Sequence, residues 1–380
     1  MQHKTQIISK KFKLFSVLLC ALLLAGCCAD KSYNVTLLGD IHYDHMKYHD
    51  MSKIKHLGIP QDKYVYNKDG YFSWRNHSIW TTINQGGSVE KNTPLNMNMW
   101  KKYMPSLLDG AAADAKKNNS RCMIQLGDLI HGDCYDLELN KQNLQNAIKQ
   151  LTGRFNKSFV VSGNHDSRGP DSQQAWDAVV NPHLDKTVKG LQRKNTNYYF
   201  TIGKDLYFFY DLMNPDVDFL EKALKENPDS RYTFFMSHVP LLPTHKNAIR
   251  SVLSDDIMRL FALLEKRNAI VLSGHTHKIS VVKYFNPANG RRIDQFIINS
   301  TVRYPKNQLN FKLHAPENPG EFSNKVKKEK EVWYKLYDGK VTTIQHSNGT
   351  GYAILRVSDK GVFVDYHNLT DPKIYTWQLR

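Results

Sequence analysis

Five short apolar runs in this chain of 380 residues each stop at residues suited to holding metal ions or moving protons. "YNVTLLGDIH" ends in Asp40-Ile41-His42, "RCMIQLGD" in Gly127-Asp128, and "SFVVSGNHD" in Gly163-Asn164-His165-Asp166. "YTFFMSH" ends in His238, and "AIVLSGHTH" in Gly274-His275-Thr276-His277. Short β-branched, aliphatic and aromatic runs bounded by turn formers read as buried strands. Taken singly, each ending is ordinary, because Asn and Asp favour turns and a strand-end histidine is commonly a structural hydrogen bonder. Taken together they constrain the fold. In open α/β sheets the carboxyl ends of the strands line one edge, where ligands collect.

The intervening sequence supplies the helices. "LNKQNLQNAIKQL" and "PDVDFLEKALKEN" have helical periodicity, as do "NMWKKYMPSLLDGAAADAKKN" and "SDDIMRLFALLEKRN", the last with Ser254 as its N-cap. "NYYFTI" and "LYFFYDL" read as a hairpin. From about residue 279 only strand-like pieces follow, "ISVVKYF", "QFIINST" and "VWYKLYD" among them, and "YAILRVSDKGVFVDYHN" folds back about Asp359-Lys360-Gly361. Strand–helix alternation followed by strands predicts one α/β domain over 33–380 with a partly antiparallel sheet. Residues 46 to about 93 break this rhythm. They are rich in Tyr, Trp, Asn, Gly and Lys, including Trp74, Arg75 and Trp80, and read as an insertion that caps a site or decorates the surface.

The N-terminus carries four lysines and no acid before the apolar run Leu14–Gly26, too short to span a bilayer. A basic start, a short apolar stretch and a small-residue exit describe a secretory signal peptide over 1–26. The exit Leu24-Ala25-Gly26-Cys27 resembles a bacterial lipoprotein signal. That resemblance implies cleavage before Cys27, a lipid on its sulfur, a tether over 27–32, and a chain held at the bacterial cell envelope, on the periplasmic face or the cell surface. The formal charge of +16 falls to +12 once the four lysines are removed. The remaining cations are dispersed, as on a solvated surface, and the cluster "NKVKKEKE" interleaves acids with its lysines. Cys122 and Cys134 are redox-compatible with a disulfide outside the cytoplasm, and the sequence leaves their pairing open.

The ordered blocks Asp-x-His, Gly-Asp, Gly-Asn-His-Asp, a lone His and Gly-His-x-His resemble those of the calcineurin-like metallophosphoesterase superfamily. The resemblance implies a four-layer α/β/β/α sandwich of two mixed β-sheets, and two divalent metal ions drawn from Mn, Fe, Zn or Co. Asp40, His42, Asp128 and His277 are expected to hold one ion, and Asp128, Asn164, His238 and His275 the other, with Asp128 bridging. His165 is expected beside the metals, protonating the leaving oxygen or stabilising the transition state, with Asp166 orienting its ring. Arg75 and Arg168 are candidates for clamping phosphate. The implied reaction is hydrolysis of a phosphate mono- or diester, such as a nucleotide or small phosphorylated metabolite, by in-line attack of a metal-bridging hydroxide.

Two features depart from the common pattern. The first block supplies a histidine, so no tyrosine ligand is needed, and 88 residues (128 − 40) separate Asp40 from Asp128. Two further readings stand beside the phosphohydrolase: a lipid-head-group phosphodiesterase resembling sphingomyelinases, and a non-catalytic binding lipoprotein on the same scaffold. Export argues against a nucleic-acid partner.

Overall fold

The computed structural model describes residues 32–49, 86–134, 136–169, 171–242, 255–302, 312–314 and 340–380. In chain order these form β1 (Tyr33–Leu38), α1 (Gly86–Lys117), β2 (Ser120–Gln125), α2 (Leu137–Thr152), β3 (Ser158–Val160), α3 (Ser172–Thr187), β4 (Gln192–Lys194), β5 (Asn197–Ile202) and β6 (Asp205–Tyr210). Then come α4 (Val217–Glu226), β7 (Thr233–Ser237), α5 (Asp255–Lys266), β8 (Ile270–Ser273), β9 (Ile279–Asn286), β10 (Arg291–Ile297), β11 (Lys312–His314), β12 (Val341–Ser347), β13 (Gly351–Ser358), β14 (Gly361–Asn368) and β15 (Ile374–Gln378).

These strands make two mixed sheets. One has the order β15-β14-β13-β1-β2-β3, the other β11-β12-β9-β10-β8-β7-β6-β5-β4. In the first sheet β1, β2 and β3 are parallel, and β13 joins β1 antiparallel. In the second, β6, β7, β8 and β10 form a parallel centre with antiparallel strands on both sides.

Side-chain alternation shows how the layers stack. Successive strand residues point to opposite faces. In β6, Tyr207 and Phe209 enter a core shared with Val35 and Leu37 of β1 and Ile124 of β2, while Leu206, Phe208 and Tyr210 pack with Leu220 of α4 and Phe261 of α5. Strand β7 does the same, with Phe234 and Met236 facing the first core and Phe235 the second. A sheet buried on both faces needs apolar residues at consecutive positions, which is why "LYFFY" and "TFFM" are continuous apolar runs. Met104, Leu108 of α1 and Leu144, Leu151 of α2 cover the outer face of the first sheet. The order is helix, sheet, sheet, helix.

The helices obey their local signals. Asp136 caps α2 by accepting from the backbone N–H groups of Glu138 and Leu139, and Leu144, Ala147, Ile148 and Leu151 form its buried stripe. Asp216 caps α4 through Phe219 N–H. Ser254, expected to cap α5, lies outside the described residues, as do Cys27, Arg75, "VWYKLYD" and the charged "NKVKKEKE". The expected insertion to about residue 93 needs correction at its end, since α1 begins at Gly86 despite Pro94 and Pro105 within it. Helix α3 has no counterpart in the sequence reading. It contains Pro182, and Asp171 before it makes no side-chain cap, so both usual signals are missing. Both predicted hairpins form, β5–β6 through Gly203-Lys204 and β13–β14 through Asp359-Lys360. Cys122 and Cys134 are both buried free thiols, which settles the open question of their pairing.

Candidate metal centre

Strands β1, β2 and β3 of one sheet and β7 and β8 of the other end at the same edge of the sandwich, and their terminal side chains meet there. Asp128 is at the centre. Its Oδ1 accepts the backbone N–H of His165 at 2.8 Å, and its Oδ2 lies 3.2 Å from His238 Nε2 and 3.7 Å from His42 Nε2. Asp40 is fully buried and accepts the backbone N–H of His275 at 2.9 Å, while His277 Nε2 stands 3.6 Å from its Oδ1. Asp40, His42, Asp128 and His277 each offer one donor atom, all within 4.8 Å of one another. A second group adjoins it. Asn164 Oδ1 is 3.1 Å from His238 Nε2 and 2.8 Å from His275 Nδ1, and the two imidazole nitrogens are 3.2 Å apart.

The backbone is strained to achieve this. His42, Asp128, His275 and His277 all have positive φ, at 46°, 54°, 69° and 52°. Asp and His enter that region more readily than most residues, but each such position still costs of order 1 kcal/mol, a burden that clusters at functional sites. Two glycines clear the space. A Cβ on Gly163 would come within 2.2 Å of Asp128 N and 2.3 Å of its Oδ1, and one on Gly127, whose φ is +89°, within 2.4 Å of His238 Nδ1. The glycines of the sequence blocks are therefore set by close approach of metal-type side chains.

The electrostatics fit cations. Burial opposes the charge of Asp128, but the imidazoles of His238 and His165 outweigh it and hold the carboxyl well below the usual carboxylate range. Burial likewise works against His238 as a cation, yet Asp128 and Asp40 pull its pKa up to about 10. His42 is pushed down to about 3 by burial, which leaves its ring neutral. His238 Nδ1 donates to the carbonyl of Leu126 at 2.8 Å, which turns Nε2 toward Asn164 Oδ1 and Asp128 Oδ2. In the metal-free protein a proton on Nε2 serves these oxygens, and a bound cation would take its place. Donors 2.0–2.2 Å from a divalent ion stand roughly 3.4 Å apart at tetrahedral corners, so the spacing and chemistry of this set fit a metal.

His165 and Asp166 behave differently from expectation. The His165 Nδ1–H donates to the carbonyl of His131 at 2.6 Å, leaving Nε2 free, 4.0 Å from Asp128 Oδ2. Asp166 makes no hydrogen bond to that ring. Its buried carboxylate accepts backbone N–H groups of Gly163 (2.8 Å), Ile130 (3.0 Å) and Leu129 (3.3 Å), pinning the loop after β2 to the loop after β3. A carboxylate offers up to four lone pairs, and the nearby peptide N–H groups have no strand partner there, so the backbone takes Asp166 and a backbone carbonyl orients His165. Arg168 lies beside the same loop. Its Nη1 lies 3.5 Å from Asp133 Oδ2 and its Nε is buried without a partner among the described residues, so one arm of the guanidinium rests on the loop after β2.

Sequence reasoning missed His131. Its ring lies 4.8 Å from His165 and 5.4 Å from His42 between centroids, with a buried Nδ1 lacking a partner among the described residues. The only signal was its place three residues after Asp128, on a loop. It lines a hollow of about 90 Å³ next to the metal-type cluster, walled by Met99, Trp100, Thr301 and Val302. The aromatic wall comes from α1, and Trp100 is fixed by donating from Nε1 to the carbonyl of Ile41 at 3.1 Å.

The sequence matches the family model of the calcineurin-like phosphoesterases over residues 33–279. The chain belongs to that family. The family assignment and the donor clusters support a dinuclear metal-dependent phosphoesterase. No curated protein matches it in a sequence comparison. Among solved structures it is similar to a purple acid phosphatase from yellow lupin (Lupinus luteus), with TM-score 0.50 and 13% identity, covering 91% of this chain and 53% of that one. It thus spans about half the length of the lupin enzyme, and the likeness is one of fold. A dimetal phosphatase from Danio rerio (TM-score 0.49, 10% identity, 92% of this chain and 99% of that one) and PhoD (0.43, 9%, 91% and 68%) also match.

Proposed function

We propose that this phosphoesterase is a lipid-anchored enzyme of the bacterial envelope that hydrolyses small soluble phosphate esters, nucleotides and phosphorylated metabolites among them. The convergence of seven metal-type side chains from five strand ends carries the reading, because carboxylate, amide and imidazole groups from separate strands crowd together at about 3 Å, as the ligands of a metal do. Asp40, His42, Asp128 and His277 would hold one ion, and Asp128, Asn164, His238 and His275 the other. Two divalent ions there supply positive charge against a phosphoryl group and lower the pKa of water beside it.

The protein's own part falls chiefly to His165. Its Nδ1 proton is committed to a backbone carbonyl, so the ring exchanges protons through Nε2 alone. Burial, followed by the charge of Arg168, lowers its pKa well below the usual imidazole value and leaves it neutral in the free protein. A phosphate dianion arriving beside it favours its charged form, which then hands a proton to the leaving oxygen. Apolar groups of Trp100, Met99 and Val302 bound the hollow next to this nitrogen and exclude water from one side.

Distance supports a soluble substrate over a lipid head group. Ser32, the last residue before β1, lies five steps along the chain from Cys27, a reach of at most about 18 Å when fully extended. Strand β1 then carries the chain away from the anchor, so that Asp40 lies about 23 Å beyond Tyr33. With β1 directed away from the bilayer, the catalytic edge faces solvent, which suits a soluble ester better than a membrane lipid.

Metal-loaded protein offered paired nitrophenyl mono- and diesters, beside a metal-stripped control, tests the activity. Turnover of at least one ester that vanishes on stripping is expected, and no turnover with two metals bound would favour a binding scaffold. Head-group release from phosphatidylcholine or sphingomyelin in vesicles carrying the anchored protein, at a rate matching the soluble esters, would reverse the choice of substrate.

A further inference from the structure

At the end of the sandwich opposite the metal centre, the two sheets part to leave a crevice of about 560 Å³ that no part of the proposed reaction uses. Its floor is apolar, with Phe159 stacked on Phe200 at 4.3 Å between ring centroids and Val188 and Ile202 alongside. Its rim is cationic. Arg121 lies at the start of β2, Lys157 just before β3, and Lys204 just before β6, all three solvent-exposed. None of the three has an ion pair among the described residues. Arg231, a fourth cation on the rim, is already satisfied by Asp205, at 2.5 Å, and by Asp359. Ser32, the first described residue, lines the same crevice.

We propose that this crevice is a seat for an acidic phospholipid of the membrane to which the chain is tethered. The inference rests on the reading of Cys27 as a lipid anchor, made under the proposed function. The tether fixes the location, since a crevice whose wall includes Ser32 stays within about 18 Å of an anchored Cys27. The lining fixes the chemistry: unpaired lysine and arginine heads around an apolar floor match an anionic head group on a hydrocarbon stem, the two parts of one amphiphile. Each cation close to an acidic bilayer adds to the attraction, and three around one mouth favour an acidic lipid over a zwitterionic one. Seated in this way, the protein keeps the carboxyl ends of its strands, and so its catalytic edge, directed away from the bilayer.

The full chain, purified in neutral detergent, can be titrated by calorimetry with dihexanoyl-phosphatidylglycerol, dihexanoyl-phosphatidylcholine and glycerol 3-phosphate. Saturable binding of the phosphatidylglycerol is expected, with phosphatidylcholine at least about 10-fold weaker. The combined variant Arg121→Glu, Lys157→Glu, Lys204→Glu should also bind at least about 10-fold more weakly, while nitrophenyl ester turnover, which reports its fold, stays unchanged. Should that variant fail to fold, Lys204→Ala on the exposed turn is expected to weaken binding by about 3-fold. Equal binding of both lipids, glycerol 3-phosphate binding as tightly as the lipid, or wild-type affinity in the folded variants would each overturn the seat. Lipid binding and ester hydrolysis are separate readouts, so loss of one reading leaves the other standing.

Discussion

At the carboxyl ends of β1, β2, β3, β7 and β8, Asp40, Asp128, Asn164 and His238 are almost wholly buried and stand within about 4 Å of another metal-type side chain. At the amino ends of β2, β3 and β6, Arg121, Lys157 and Lys204 are exposed and have no ion pair among the described residues. Strands β2 and β3 thus end in two ways. At one pole polar groups are removed from water and forced together, which is costly and persists only where a ligand or function offsets it. At the other, cations remain solvated at little cost and are free to meet an outside anion. Burial and mutual contact mark the chemical pole better than charge does.

The largest test of this contrast is Asp128→Asn. Losing the shared carboxylate should lower both metal content and ester turnover, the latter by about 10³-fold or more, whereas charge reversal at the opposite pole leaves turnover alone. Metal analysis and steady-state rates on the same preparations decide it, and two metals retained with near-normal rate would remove Asp128 from the centre. Next is His165→Ala, expected to cost about 10²–10⁴-fold in kcat on an ester with a poor leaving group while metal content holds. A smaller loss with a good leaving group would sharpen its assignment as proton donor.

Gly163→Ala is expected to destabilise the protein by roughly 1–3 kcal/mol and to weaken metal binding, because its Cβ would collide with Asp128. Denaturant melts with and without added metal separate the two effects. The smallest effect concerns Asp166. Burial, reinforced by the charge of Asp128, raises its pKa to about 7. A folded value above the unfolded one means the carboxyl favours folding most when protonated. In the metal-stripped protein its contribution should therefore be full below about pH 4 and decline as pH rises towards 7. Asp166→Asn should flatten that part of the stability profile; an unchanged profile would show that Asp166 does not titrate there.

Much of the catalytic edge was legible in the sequence because each strand carries its own signature, an apolar run closed by a glycine and metal-type residues. Asp40, His42, Asp128, Asn164, His238, His275 and His277 meet as their blocks suggested. The exceptions share a physical cause. Asp166 was expected to hold His165, but the peptide groups of Leu129, Ile130 and Gly163 reach it, and loop hydrogen bonds of that kind leave no trace in residue type. His131 reaches the site because the loop after β2 folds back against the loop after β3, a long-range contact with no local pattern. Helix α3 was unread because Pro182 and a missing cap hid it, and packing against α2 and β3 overrides weak local preference.

By itself, the sequence determined the period-2 and 3.6-residue apolar patterns, and with them the strands, most helices and the ligand types at each strand end. These are local properties, fixed by which side chains follow one another. Only the tertiary structure decided that β13 returns to pair with β1, that Trp100 of α1 walls the hollow, and that a carbonyl orients His165. It alone set Arg121, Lys157 and Lys204 around one crevice beside Ser32. Each of those outcomes joins segments far apart in the chain, where the free energy lies in shared burial and backbone pairing that no single segment encodes.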